Sequence, residues 1–583
     1  MHRKAPTWPG LSSLLVLGLG LGVGCTDEVV TPPNGGDMAS SADLRPPGLL
    51  PDEIPLKVIQ RCPGDPACAD QGDGLLLAGA ARRDVSPKVE PYEDKNNNFI
   101  WDEGEPFTDR NGNGKFDAFW IAGFGSGRQA QDTAQSKGAV DIGVETRVSA
   151  RALVLRQNQT TVALVVVDSL GIFKDDGDAI LKVLDPKLGI DKLLLSATHV
   201  HEAPDLVGGW GKNSFTYGVN EGYQTFVRAQ IVAAITEAAG ALKPVQVTLG
   251  STRVADAGND MTPYVNDVRD PVIIDNTLHT LQFVNVDEQG KRTPIATVIN
   301  WAHHPESVGD KNYLINSDWV GYLRDSVERV TNDTVLYFSG ALGGQIGPSG
   351  VNAYAPDGTR VSQAGFKKAQ AIGTSVAKFA LNAMADPNAT TLASGKAKLS
   401  FRTAGFAAQV FNSLYHLAAQ AKIYRRTQCC YDPDQPISDT NIPAVETEVT
   451  YLQLGPASII TNPGELLPEL FVGGYDGSWT GTYKIVDTMQ KNAPDLTKAP
   501  KAPYLVDIMD GDRKHRMTFG LTADFLGYIV PRYNFVLSPT KPYFDEAEGD
   551  HYEETNSLGP LAEPQIAGTM RQLILDGRPN VAR

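Results

Sequence analysis

The chain contains nine histidines, and four of them fall in two short clusters: His199 and His201 in SATHVHEAP, and His303 and His304 in NWAHHPES. Each cluster follows directly on an apolar run, KLLLSA before the first and TPIATVIN before the second. Two more apolar runs end in residues of related use: TYLQLGPASIITN leads to Pro463-Gly464-Glu465, and VLYFSG leads to Gly343-Gly344-Gln345. Two or three imidazoles with a carboxylate form the donor set of a catalytic zinc ion, which keeps one coordination position open for water. Ligand crevices in open α/β sheets lie beyond the carboxyl ends of the strands. If these four strands share a sheet edge, His199, His201, His304 and Glu465 converge there. A serine-based hydrolase is the weaker reading, because no GxSxG turn is present.

A second set of oxygen-bearing residues has the spacing of calcium loops. In DKNNNFIWDEGE, Asp94, Asn96, Asn98, the Ile100 carbonyl, Asp102 and Glu105 stand at positions 1, 3, 5, 7, 9 and 12 of an EF-hand-type loop. In DRNGNGKFD, Asp109, Asn111, Asn113, the Lys115 carbonyl and Asp117 repeat the pattern. The first loop has Phe99 where glycine is usual; the second has Gly114 there but Trp120 in place of the bidentate Glu. Two such matches in tandem predict bound, structural calcium in an insertion at about 94–120.

These residues need a scaffold, and the pattern supplies one. β-type runs (ARALVL, TTVALVVVDS, KLLLSA, HTLQFVNV, TPIATVIN, TVLYFSG, TYLQLGPASIITN) alternate with helical stretches such as YQTFVRAQIVAAITEAAGAL and SQAGFKKAQAIGTSVAKFALNAMA. Such alternation predicts an α/β fold: one large domain over 75–583, with a mixed sheet and helices and the site at the strand C-terminal ends. The balance of 52 Lys+Arg against 68 Asp+Glu, a net charge of −16, argues against nucleic acid as a partner. His2-Arg3-Lys4 followed by LSSLLVLGLGLGV reads as a signal peptide over residues 1–24. Cys25 then matches the lipid-bearing residue of an exported bacterial lipoprotein, anchored in the cell envelope and most simply in the outer membrane; ordinary signal cleavage would instead leave the protein periplasmic or secreted. Residues 25–74 are rich in Pro, Gly, Asp and Ser and read as a flexible spacer. Cys62 and Cys68 bracket CPGDPAC and form the natural local disulfide; the pairing of Cys429 and Cys430 stays open.

Taken in order, several segments resemble the neutral/alkaline non-lysosomal ceramidase family. They are GAARRDVSP, DIGVETRVSARALVL, LLLSATHVHEAP, INWAHHPES with LINSDWVGYLR, NPGE, LGYIVP and HYEETNSLGP, spanning about Leu76 to Pro560. The resemblance implies amide hydrolysis by a zinc-activated water. It places the zinc ligands on His199, His304, Glu465 and Tyr528, and assigns His201 to hydrogen-bond substrate or pass a proton to the departing amine. A further tyrosine, nearest Tyr533, is expected beside Tyr528 at the reaction centre. The chain also departs from the family. Gly347 stands at the family's serine and Gln345 at its acidic residue, the latter an amide donor near substrate. Asp260 and Met261 occupy the place of an arginine for which Arg269 is the nearby replacement, and the length leaves no room for a C-terminal immunoglobulin-like domain. These changes fall on substrate handling, so the expected substrate is an N-acyl lipid or related N-acyl compound, of which ceramide is only one candidate. Competing expectations are a zinc-dependent esterase and a catalytically silent surface lipoprotein that binds lipid or glycan.

Overall fold

The computed structural model describes residues 56–66, 68, 74–132, 147–255, 264–346, 351–355, 357–576 and 578. The signal segment, Cys25, Asp260, Met261 and Gly347 lie outside the described residues.

Three five-stranded sheets carry the fold. The first runs in the order Lys192–Ala197, Thr160–Val167, Ser149–Gln157, Leu77–Asp84, Lys243–Pro244. The second runs Thr334–Ser339, Arg292–Trp301, Thr277–Val286, Gln246–Arg253, Thr390–Leu392. The third runs Val58–Cys62, Leu399–Gln409, Ala444–Leu454, Ala457–Thr461, Arg516–Phe519. Each sheet is antiparallel except for one parallel pair at one edge: Thr160–Val167 with Lys192–Ala197, Arg292–Trp301 with Thr334–Ser339, and Ala457–Thr461 with Arg516–Phe519. All three sheets are therefore mixed, as the α/β reading requires.

Side chains alternate across a strand with period two, and here both faces are apolar. Val162, Leu164 and Val166 of the first sheet join Phe283, Val298, Leu336 and Phe338 of the second, and Phe401, Leu452, Ile459 and Phe519 of the third, in one shared interior. The intervening residues Ala163, Val165 and Val167 face outward with Val335 and Tyr337, against the helices Glu221–Gly240, Asp318–Thr331 and Phe366–Ala385. The outer face of the third sheet (Ala404, Val449, Ile460) packs on Ala562–Leu575. Close helix seating depends on small residues: a Cβ at Gly79 would lie 2.1 Å from the Ala238 carbonyl oxygen.

Several expectations change. The four strands that precede the candidate ligands do not share one sheet edge; they come from all three sheets. The run TYLQLGPASIITN is not one strand but the tight hairpin of Ala444–Leu454 and Ala457–Thr461, with Leu454 opposite Ala457 and Gly455 at φ +58° in the turn. The spacer reading does not hold for Val58–Cys62, which pairs with Leu399–Gln409 as a sheet edge. The Cys62–Cys68 disulfide forms, while Cys429 and Cys430 are unbridged. Among the described residues no helix is long and apolar enough to cross a membrane.

Phe338 is fully buried and stacks on Phe519 from another sheet, with ring centroids 4.2 Å apart. Phe338→Ala is expected to lower unfolding free energy in urea by about 3–5 kcal/mol, through lost transfer energy and the cavity left between sheets.

Candidate functional site

The parallel edge pairs all deliver their carboxyl ends to one place. Ala197, Ala302, Leu342 and Leu521, each at or just beyond such a strand end, pack with Phe525 into a small apolar plug. Backbone bonds knit these loops across sheets: Ala197 N donates to Leu521 O (3.1 Å) and Gly520 N to Ser339 O (2.9 Å). Asn300 Nδ2 adds bonds to the Ser339 and Thr518 carbonyls (3.1 and 2.9 Å). The histidines and Glu465 leave from these loops.

His199 holds a left-handed backbone conformation, φ +67°, which is uncommon for a residue with a Cβ and points to a functional constraint. Its neighbours enforce it. Thr198 Oγ1 donates to Asp168 (3.1 Å), and Asp168 is held by both arms of Arg324 at 2.8 Å. The His199 Nδ1 lies 2.8 Å from the Leu170 carbonyl oxygen, and the His304 Nδ1 lies 3.0 Å from that of Gln345. Each imidazole thus donates from Nδ1 and turns its Nε2 lone pair inward, the arrangement by which metal-binding histidines are oriented. Glu465 Oε2 sits 3.4 Å from His199 Nε2 and 3.2 Å from His304 Nε2. Bonds of about 2.0–2.1 Å around a tetrahedral zinc place neighbouring ligand atoms roughly 3.3 Å apart, so His199, His304 and Glu465 fit the ion. Burial raises the Glu465 carboxyl, but His199 and His304 outweigh it and hold it at about 2.

His201 belongs to the same cluster. Its Nε2 is 3.4 Å from His199 Nε2, and the ligand atoms of His199, His201 and His304 all lie within 4.8 Å of one another. Burial, followed by the charges of His199 and His304, pushes its imidazole well below 6.5. That direction favours the neutral imidazole, the form able to accept a proton. His303 is structural: its ring stacks on Trp301 at 4.9 Å and its Nδ1 lies 2.6 Å from the His304 carbonyl oxygen.

Tyr528 is brought to the site by a short parallel pairing in which it sits opposite Glu465. Its ring lies parallel to His304 at 6.4 Å, and burial, followed by the Glu465 charge, raises the phenol well above 10. Tyr533 does not join it. Its ring packs on Tyr475 at 5.9 Å beside Glu469, and the phenol that meets Tyr528, also at 5.9 Å, is Tyr552 of the HYEE segment. Pattern matching missed Tyr552 because a helical turn, not sequence proximity to Tyr528, delivers it. Two other expectations fail for lack of a free group. Both terminal nitrogens of Arg269 are committed, donating to the two Glu554 oxygens (2.8 and 2.7 Å) and to the Asn534 carbonyl (2.6 Å). The Gln345 amide donates to the Ala302 carbonyl (2.6 Å) and accepts from Asp275 N (2.8 Å), so its role is to brace the His304 loop.

The two Asp/Asn loops are geometric copies. In the first, Asp94 accepts from the Asn98 and Phe99 amides (3.1 and 2.9 Å), and Asn96 and Asn98 donate to Asp102 (2.8 Å each). In the second, Asp109 accepts from the Gly112 and Gly114 amides (2.6 and 2.7 Å), and Asn111 and Asn113 donate to Asp117 (2.5 and 2.8 Å). Phe99 adopts φ +64° where Gly114 has +75°, and its ring stacks on Tyr313 at 5.2 Å. Glu105 accepts from the Lys95 and Asp102 amides (2.8 and 3.0 Å). Glu90 does the same for Arg110 and Asp117 (3.0 and 2.9 Å). The acidic brace that the second loop lacks in sequence thus comes from upstream, where a loop pattern does not look.

The family model for neutral/alkaline non-lysosomal ceramidase, N-terminal, matches residues 133–394, which include both histidine clusters. A neutral ceramidase from Pseudomonas aeruginosa shares the fold, with TM-score 0.51 and 14% identity over 86% of this chain and 73% of that one. A ceramidase complexed with C2 is similar at TM-score 0.53 and 14% identity, covering 86% and 74%. The chain resembles the neutral/alkaline ceramidases. Glu465, Tyr528 and Tyr552 lie beyond the matched residues, and the three-sheet ceramidase fold is what carries them to the histidines.

Asp168 and Arg324 are buried together, with side chains 0% and 1% exposed. Asp168→Asn leaves the Arg324 guanidinium buried without its countercharge, so a loss of roughly 3–5 kcal/mol is expected in denaturant melts.

Proposed function

We propose that the protein is a zinc-dependent hydrolase that cleaves an amide bond in an N-acyl lipid or related N-acyl compound. The observation that carries this reading is the group of His199, His304 and Glu465, in which the carboxylate oxygen lies 3.4 and 3.2 Å from the two imidazole Nε2 atoms, the spacing of neighbouring ligands around a tetrahedral zinc. When bound, zinc supplies a polarised carbonyl and a water acidified toward neutrality. His201, neutral and adjacent, would accept the proton released as water attacks and pass it to the amine nitrogen as the C–N bond breaks. The phenols of Tyr528 and Tyr552, kept protonated by burial, donate toward the oxygen on which charge develops. A narrow apolar cavity lined by Phe173, Val207, Val410, Tyr415, Phe525 and Leu526 suits an acyl group, and Phe525 lies 6.1 Å from His199. The family resemblance supports amide chemistry.

Purified protein is expected to hold zinc by elemental analysis and to hydrolyse members of a panel running from ceramide to shorter N-acyl amines. His199→Ala and Glu465→Ala should each lose the zinc and the activity. Hydrolysis by a metal-free preparation would overturn the reading.

We propose further that the loops at 94–105 and 109–117 bind calcium. The support is their matching geometry at two places fifteen residues apart in register (Asp94 and Asp109, Asp102 and Asp117). The insertion leads into Gly123 and Phe124, which pack on His201, so ion binding steadies one wall of the site. EGTA is expected to lower the melting temperature of wild-type protein and to leave an Asp94→Ala/Asp109→Ala variant unmoved; equal melting with and without EGTA removes the proposal.

A further inference from the structure

Two polar atoms beside the histidine group are buried and make no hydrogen bond: Nδ1 of His201 and Oε1 of Glu306. They belong to side chains that touch, for Glu306 Oε2 lies 3.3 Å from His201 Nδ1. That contact is at ion-pair distance but off the hydrogen-bond line, a looseness usual before substrate or metal tightens a site. Glu306 is 6% exposed, and Arg128, the cation on the other side of His201, is committed to Glu202 (2.5 Å) and the His201 carbonyl (3.0 Å). The two loops are also tied by backbone, His201 N to Pro305 O at 3.1 Å.

The ring itself has little freedom. A Cβ at Gly123 would fall 2.4 Å from His201 Cγ, and Phe124 meets the ring edge-on at 5.1 Å. What packing leaves open is which nitrogen carries the proton. His199 and His304 settle that question with backbone carbonyls at Nδ1; His201 has a carboxyl group there instead.

We propose that Glu306 is the positioning residue of His201: its Oε2 accepts Nδ1–H and so turns the Nε2 lone pair of His201 toward the centre. The role rests on the reading of the centre given above, and it deepens that reading by adding a second carboxylate, from the HHPES segment, to the residues that serve the reaction.

The test uses the full chain labelled with ¹⁵N-histidine, in wild-type, Glu306→Ala and Glu306→Gln forms, with the His201 signals assigned through His201→Asn. In wild type, His201 is expected as the Nδ1–H tautomer. In Glu306→Ala it should move toward a mixture, and in Glu306→Gln, whose amide oxygen can still accept, it should stay. In parallel, kcat should fall about 10–100-fold in Glu306→Ala, the usual effect of removing a partner that orients a site histidine, with KM little changed and most of the loss recovered in Glu306→Gln. If Glu306→Ala does not fold, Glu306→Leu, similar in volume but without an acceptor, takes its place. An unchanged His201 tautomer in a folded Ala or Leu variant overturns the positioning role. The NMR readout needs no substrate, so a tautomer shift in a protein inactive on every amide tested supports Glu306 and overturns the hydrolase reading alone.

Discussion

Burial of both faces of three sheets is the constraint from which the rest of the molecule follows. A strand that is apolar on alternate residues can face water on one side; one that reads Val-Ala-Leu-Val-Val-Val, as in residues 162–167, cannot. The chain meets this demand by turning one face of each sheet into a common interior and covering the other with helices. Once the sheets are locked this way, the carboxyl ends of their parallel edge pairs are held at one end of the shared core, and the loops beyond them have little room to move apart.

The group of His199, His201, His304 and Glu465 inherits its geometry from that arrangement. Ala197, Ala302, Leu342 and Leu521 form a dry floor contributed by three different strand ends and the loop beyond a fourth. Above the floor, orientation comes from hydrogen bonds rather than packing. The Leu170 and Gln345 carbonyls set His199 and His304, and Arg324 acts at one remove through Asp168 and Thr198. The same logic explains the fate of residues that sequence comparison marks as losses. Gln345 has become part of the frame, and Arg269 is consumed by Glu554, so neither is left to grip a substrate.

The insertion at 94–117 shows local and long-range rules acting together. Its Asx-type turns are set by residues two to five positions apart, which is why both loops are visible as strings of Asp and Asn. Its closure is not local. Glu90 braces the second loop from nineteen residues before Asp109, and the stacking of Phe99 on Tyr313 compensates a backbone conformation that a phenylalanine does not favour alone.

Read by itself, the sequence determined the class of fold, the alternation of strands and helices, the two histidine clusters, Glu465 and the two Asp/Asn loops. All are encoded in spacing over a few residues, where the periodicity of one element or one turn is enough. It also named the Cys62–Cys68 pair, because six residues separate them. Only the tertiary structure decided that three sheets, not one, bring the ligands together, that Tyr552 and not Tyr533 meets Tyr528, that Arg269 is spent on an internal ion pair, and that Glu306 faces His201. Those outcomes depend on which strand ends meet in space and on which buried polar atoms find partners, and neither is written in the spacing of residues along the chain.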